Sequence, residues 1–162
     1  MILLQQILVA TDFSDASGAA LDYSRALART FGASLHLLHV MDNTFLRPSP
    51  ADPYLLKAGA AKRLAETLTA DDRASLHAHA ALETSDNPSE VIVAYANTHH
   101  IDLVVLGTHG RGALAQLLMG SVAEKVVRTA PCPVLTVRHP EHEFLVPDAA
   151  SSTAHTPSGG LS

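Results

Sequence analysis

The sequence predicts an α/β protein built on a parallel sheet, and three observations carry that expectation. Short apolar runs alternate with helix-patterned segments from end to end, the order that right-handed crossovers between parallel strands produce. Apolar residues make up 47% of the chain and aromatics only 4%, with no Trp, so the interior must be packed from Ala, Val, Leu and Ile, as helix-covered parallel strands are. The 162 residues suffice for one core of ordinary size, and two would be cramped.

The first strand is expected at 7–10, an apolar run too short for a helix that stops at Thr11 and Asp12. Over 14–31 the positions Ala20, Tyr23, Leu27 and Phe31 recur at helical spacing, with Ser14 suited to cap the start and Gly32 to stop the end. A second strand follows at 34–40. A Pro-rich stretch, 47–53, leads into a helix over 54–68 rich in Ala, Leu, Lys and Arg. Alternation over 75–82 predicts a third, weaker strand. Asn87, Pro88 and Glu90 read as a cap, a first-turn proline and an acid at N3, opening a helix that ends near Thr98. The apolar, β-branched run 102–106 is the fourth strand. Ser121 and Glu124 have capping-box spacing for a last helix to about Arg128, closed off by Pro131 and Pro133 before a fifth strand, Val134 to Val137. From His139 onward Pro, Ser, Thr, Gly and His dominate without periodicity, so the expected division is a folded domain, 1–138, and a flexible tail, 139–162.

A formal charge of -5 with only 11 Lys plus Arg argues against a surface built to neutralise a nucleic-acid backbone. The first ten residues lack the basic stretch and the length of a secretory signal and read directly as a strand. No apolar run reaches membrane-spanning length. Cys132 is the single cysteine and reads as a small core residue, so no intrachain disulfide can form and a reducing compartment fits best. The expectation is a cytoplasmic protein with neither a nucleic-acid nor a membrane partner.

The most informative segment is Gly107-Thr108-His109-Gly110, nine further residues, then Gly120-Ser121, set between the fourth strand and the last helix. Glycines there let backbone approach a ligand closely, and the start of the last helix offers unpaired N–H groups with a favourable dipole. The plainer account assigns Gly107 and Gly110 to loop geometry and Ser121 to a cap; a capped helix start is an anion site as well. Together with Ala130-Pro131-Cys132-Pro133-Val134-Leu135, the spaced glycines resemble the signature of universal stress proteins. The openings Ile7-Leu8-Val9-Ala10-Thr11-Asp12-Phe13-Ser14 and Leu37-Leu38-His39-Val40 are similar to that family's first two strands, and the likeness runs from about Leu4 to Arg138.

The resemblance implies an open, Rossmann-like five-stranded parallel sheet in order 3-2-1-4-5 with helices on both faces, of the adenine nucleotide alpha hydrolase kind. Ligands of such sheets settle at the switch point between strands one and four. The full glycine set is similar to that of the branch that binds ATP, with Mg2+ a possible companion. By that likeness Asp12, with Thr11 beside it, meets the ribose or a metal, Val40 bonds adenine through its backbone, and Gly107, His109, Gly110, Gly120, Ser121 and Val122 surround the phosphates. Asp12 has a structural alternative, complementing the positive end of the first helix. Arg111 reads equally as a phosphate contact or a solvated side chain.

Other patterns weigh less. His77 and His79 share one face of the expected third strand and His99 adjoins His100, but neither pair brings a third metal ligand at familiar spacing. Residues 110–115 match G-x-G-x-x-A formally, yet the following strand ends at Arg138 where the dinucleotide fingerprint needs an acid. The Walker A pattern and the nucleophile elbow are missing. The expected function is an ATP-binding stress-response module with little or no turnover. A slow ATPase or phosphotransfer enzyme and a dimeric interaction module without nucleotide stand as alternatives. The edge strand Val134 to Val137, with no charge and no internal Pro, is expected to pair two copies into a homodimer, as the family also implies.

Overall fold

The computed structural model describes residues 1–43, 52–108 and 119–138. Five strands, β1 (Gln6–Ala10), β2 (Ser34–Met41), β3 (His79–Thr84), β4 (Leu103–Gly107) and β5 (Val134–Val137), pair in parallel in the order β3-β2-β1-β4-β5. The helices are α1 (Asp15–Phe31), α2 (Pro53–Thr67), α3 (Ala70–Ser75), α4 (Pro88–Thr98) and α5 (Ser121–Thr129). The parallel α/β sheet and its order are those expected from the sequence.

Side-chain alternation along the central strands decides which helix covers which face. Ile7, Val9, Leu35, Leu37 and Val105 point to one side and pack with Ala20 and Leu21 of α1 and Leu64 of α2. Leu8, Leu38, Val104 and Leu106 point to the other and pack with Ile92 and Tyr95 of α4 and Val126 of α5. Burial on both faces is why β1 and β4 read as continuous apolar runs. No helix among the described residues is long and apolar enough to cross a membrane.

Local chemistry sets the helix ends. The Ser14 side chain accepts the Ser17 amide at the start of α1, and Gly32 ends that helix at φ 66°, a left-handed conformation that a residue with a Cβ adopts at a cost. Asp52 caps α2 by accepting the Tyr54 amide.

Three local expectations are corrected. The third strand begins at His79, not 75, because Thr69 and Asp72 form a reciprocal capping box that turns 70–75 into α3. His77 therefore lies outside the strand at φ 46° and shares no strand face with His79. Leu76 and Ala78, whose burial mimics strand alternation, lie between α3 and β3. At α5 the cap is Gly120 without a side-chain bond, Ser121 is the first helical residue, and Glu124 pairs with Arg128 at 2.9 Å instead of closing a capping box. Asn87 precedes α4 without capping it through its side chain; its own amide is taken by the Ser85 hydroxyl at 3.0 Å. The expected tail, 139–162, lies outside the described residues.

Candidate functional site

The chain leaves β1 to one side, toward β2, and returns through β4 on the other, so the loops after β1 and β4 diverge and leave a crevice above the strand ends. A cavity of about 340 Å³ occupies this point. Its walls come from the end of β1 (Ala10, Thr11, Asp12), the end of β2 (Val40, Asp42), the start of α4 (Pro88, Ile92), the end of β4 and the first turn of α5. Of the residues named from the sequence, Thr11, Asp12, Val40, Gly107, Gly120, Ser121 and Val122 line it together. His109 and Gly110, and Arg111 with them, lie outside the described residues.

The β1–α1 loop is held by hydroxyls. Thr11 Oγ1 accepts the Phe13 amide at 3.0 Å and lies 3.0 Å from Ser17 Oγ, which donates to the Ser14 carbonyl at 2.9 Å. The Thr11 hydroxyl is thus engaged in shaping the loop. Its carbonyl accepts from His39 Nδ1 at 2.7 Å, which places the proton of that ring nitrogen on the bond. Phe13 sits at φ 62°, a conformation that costs a non-glycine residue roughly 1–2 kcal/mol. Ring contact with His39 at 4.4 Å and the Arg63 guanidinium 4.3 Å above its face hold it there.

Asp12 Oδ1 accepts both the amide and the hydroxyl of Ser14. Burial would raise the Asp12 carboxyl, but these bonds outweigh it and hold the group below its ordinary value of 3.8. The sign follows: this interaction stabilises the fold above that value and is lost as pH falls through the lowered one. Ser14→Ala is expected to move the Asp12 titration upward, read by carboxyl-carbon NMR, and to cost about 1 kcal/mol of stability through the lost cap. An unmoved titration would contradict the assignment.

Gly107 and Gly120 serve packing more directly than ligand approach. A Cβ on Gly107 would stand 2.8 Å from the Ala16 carbonyl carbon and 2.9 Å from the Ser17 nitrogen, so the absent side chain is what lets β4 and the start of α1 meet. Gly120 donates its amide to the Thr108 carbonyl at 2.7 Å, and a Cβ would lie 3.1 Å from that oxygen. Its N–H is therefore used internally. The amides of Ser121, Val122 and Ala123 belong to the first turn of α5, where helix geometry supplies no intrahelical partner, and all three residues line the cavity. The described lining carries two carboxylates, Asp12 and Asp42, and neither lysine nor arginine.

An anion can be met here by the helix terminus and a flat apolar group by Ala10, Val40, Pro88, Ile92 and Leu106. Asp42, Ser17, Pro88, Ile92 and Thr108 also line the cavity, although the sequence assigns none of them a ligand contact. Asp42 could have been assigned one, since it follows Val40 just past a strand end at the switch point. Pro88 and Ile92 carry no local signal of a ligand contact, because the topology alone brings α4 to the crevice.

Residues 4–138 match the universal stress protein family. Among curated proteins, universal stress protein MJ0531 of Methanocaldococcus jannaschii is 31% identical over 147 residues, covering 87% of this chain and 86% of its own. Among solved structures, universal stress protein UspA from Lactobacillus plantarum superposes with a TM-score of 0.68 at 29% identity, over 85% of this chain and all of that one. A universal stress protein solved in complex with cAMP gives 0.61 at 25% identity, over 85% of this chain and 98% of the other.

Proposed function

The chain belongs to the universal stress protein family, and from that premise we propose that its switch-point cavity binds an adenine nucleotide, ATP in the first instance, as a regulatory module. The observation that carries this reading is the meeting of α5's first turn with the ends of β1 and β4 around one cavity of nucleotide dimensions. In this reading Val40 presents backbone to the base, Asp12 faces the ribose, and the amides of Ser121 and Val122 receive phosphate, with Gly107 and Gly120 shaping the approach; the phosphate contacts expected of His109 and Gly110 belong to the same reading and lie outside the described residues. The cAMP complex of a relative supports an adenine nucleotide as the class of ligand.

Two lining carboxylates without a lining lysine or arginine among the described residues favour a phosphate chain that arrives with Mg2+. Asp12 or water would complete such an ion's shell. Turnover is expected to be small, because the Asp12 carboxylate is held ionised by Ser14 and is a poor base for an attacking water. The single cysteine fits a reducing compartment such as the cytoplasm.

The test is to extract and identify the small molecule that accompanies the purified chain, and to measure thermal unfolding with added ATP. An excess of 100 times Kd should stabilise the fold by about 2.7 kcal/mol, a rise of several degrees. The absence of both an extracted nucleotide and a thermal shift would turn the reading toward an interaction module. Steady phosphate release that disappears in Gly120→Glu would turn it toward a slow ATPase. Pairing of two chains through β5, an edge strand free of charged residues, belongs to the same proposal. Light scattering should give twice the 17.1 kDa chain mass, and the single mass would contradict it.

A further inference from the structure

On the α4 face of the sheet, away from the strand ends, four aromatic side chains replace what is elsewhere aliphatic packing. His36 points from β2 to the same side as Leu8 and Leu38 and is 4% exposed; Tyr95 of α4, which covers it, is 8% exposed. His36 Nε2 lies 2.7 Å from Gln6 Oε1 on β1, and His36 Nδ1 lies 3.0 Å from the Tyr95 hydroxyl. An amide oxygen only accepts, so Nε2 carries the proton and Nδ1 accepts from Tyr95. The Tyr95 oxygen is then open to the proton of His79 Nε2, 3.2 Å away on β3. The donors run in one direction, from His79 through Tyr95 and His36 to Gln6, and the order requires His36 to be neutral.

The remaining groups press the same way. His79 stands 4.0 Å from the His36 ring in edge contact, and His99, at the end of α4, stacks on Tyr95 at 3.8 Å and lies 5.7 Å from His36. Burial first, then positive charge on His79 and His99, lowers His36 from 6.5 to about 4. Of the acids nearby, Glu83 of β3 acts on Tyr95, and Asp102 at the foot of β4 accepts the amides of Gln5 and Gln6. The helix that closes over this cluster also reaches the cavity: Ile92 and Pro88, one and two turns before Tyr95, are cavity wall.

We propose that His36, His79, Tyr95 and His99 form an acid-sensitive latch that holds α4 on the sheet at neutral pH and releases it on acidification, opening the cavity wall that α4 supplies. A proton on His36 Nδ1 removes the acceptor of the Tyr95 hydroxyl and sets a buried cation against two neighbouring imidazoles. With α4 open, His36 titrates near its ordinary value, so the open state takes up a proton that the closed state refuses between pH 6.5 and about 4. The latch is complete above that window and weakens as pH falls through it. The effect on ligand binding rests on the proposed nucleotide site; the latch itself does not.

The experiment is hydrogen exchange on the full chain without nucleotide, from pH 7.5 to 4.5, in the wild type and in His36→Gln, which offers a donor and an acceptor but does not titrate. Protection factors of the α4 amides should fall about tenfold per pH unit below pH 6.5 in the wild type and stay level in the variant. Parallel curves overturn the latch. Should the variant fail to fold, the His36 imidazole titration in the wild type decides, with a midpoint near 4 and an unprotonated Nδ1 expected and a midpoint near 6.5 overturning the proposal. Calorimetric titration with ATP at pH 7.5 and 5 adds the coupling: Kd should rise at least threefold more in the wild type than in His36→Gln. Absence of ATP binding at both values, with the exchange difference intact, overturns the nucleotide reading and upholds the latch.

Discussion

Asp72→Ala is expected to lower the unfolding free energy by about 3–5 kcal/mol, the range for removing one partner of a buried ion pair. Asp72 is 1% exposed and receives both Nε and Nη2 of Arg25, at 3.1 and 2.8 Å, together with the amide of Thr69 at 2.9 Å. Arg25 in turn donates to the Thr67 carbonyl at 2.9 Å. The carboxylate therefore ties α1 to the junction of α2 and α3; without it the Thr69 amide loses its acceptor and Arg25 keeps only the exposed Asp22 and the Thr67 carbonyl. Burial would raise the Asp72 carboxyl, but the Arg25 and Thr69 hydrogen bonds prevail and hold it below 3.8. Its contribution is complete above that value and lost as pH falls through the lowered one. This acid limb lies below the His36 window, so the two steps separate on a stability profile. Urea denaturation at pH 7 checks the variant, and a loss under 1 kcal/mol would contradict the account.

Gly107→Val is expected to damage fold and cavity together. Its first side-chain atom would stand within 2.9 Å of two backbone atoms of α1, which cannot turn aside as a side chain can. Relief requires β4 and the start of α1 to separate, and both are cavity walls. Overpacking of this kind costs about 1–3 kcal/mol and upward, and ATP affinity should fall more than tenfold with it. Gly18 supplies the contrast within the same helix. A Cβ there meets nothing within 4 Å, so Gly18→Ala should stabilise by up to about 1 kcal/mol and leave binding unchanged. Chemical denaturation and calorimetry on the two variants separate close approach from a general intolerance of change at glycine.

What could be read in advance depended on how local its cause was. β5 is recovered at its stated bounds because Pro131 and Pro133 forbid helix before four strand-forming residues. Ser14 and Gly32 act on their own helix, and both ends of α1 were legible. The third strand starts later than the sequence predicts because Leu76 and Ala78 are buried at alternate positions without being strand, while the Thr69–Asp72 box makes α3. The lining of the cavity was legible as a set of strand and helix ends, since topology gathers such ends wherever the strand order reverses. Its reasons were less so: Gly107 is required by Ala16, ninety-one positions earlier, and nothing near Gly107 says so. The histidine cluster was hidden for the same cause. His36, His79 and Tyr95 come from three separate elements, and only the pairing of β2 with β3 beneath α4 makes them neighbours.

The central claim is that the first turn of α5 and the ends of β1 and β4 receive an adenine nucleotide. Titration of the 15N-labelled chain with Mg2+ and ATP tests it at the atoms concerned. Saturable shifts at the Thr11, Asp12, Thr108, Ser121 and Val122 amides, at one nucleotide per chain, are the predicted result. Spectra unchanged to millimolar ATP, or shifts confined to residues elsewhere on the surface, would contradict it.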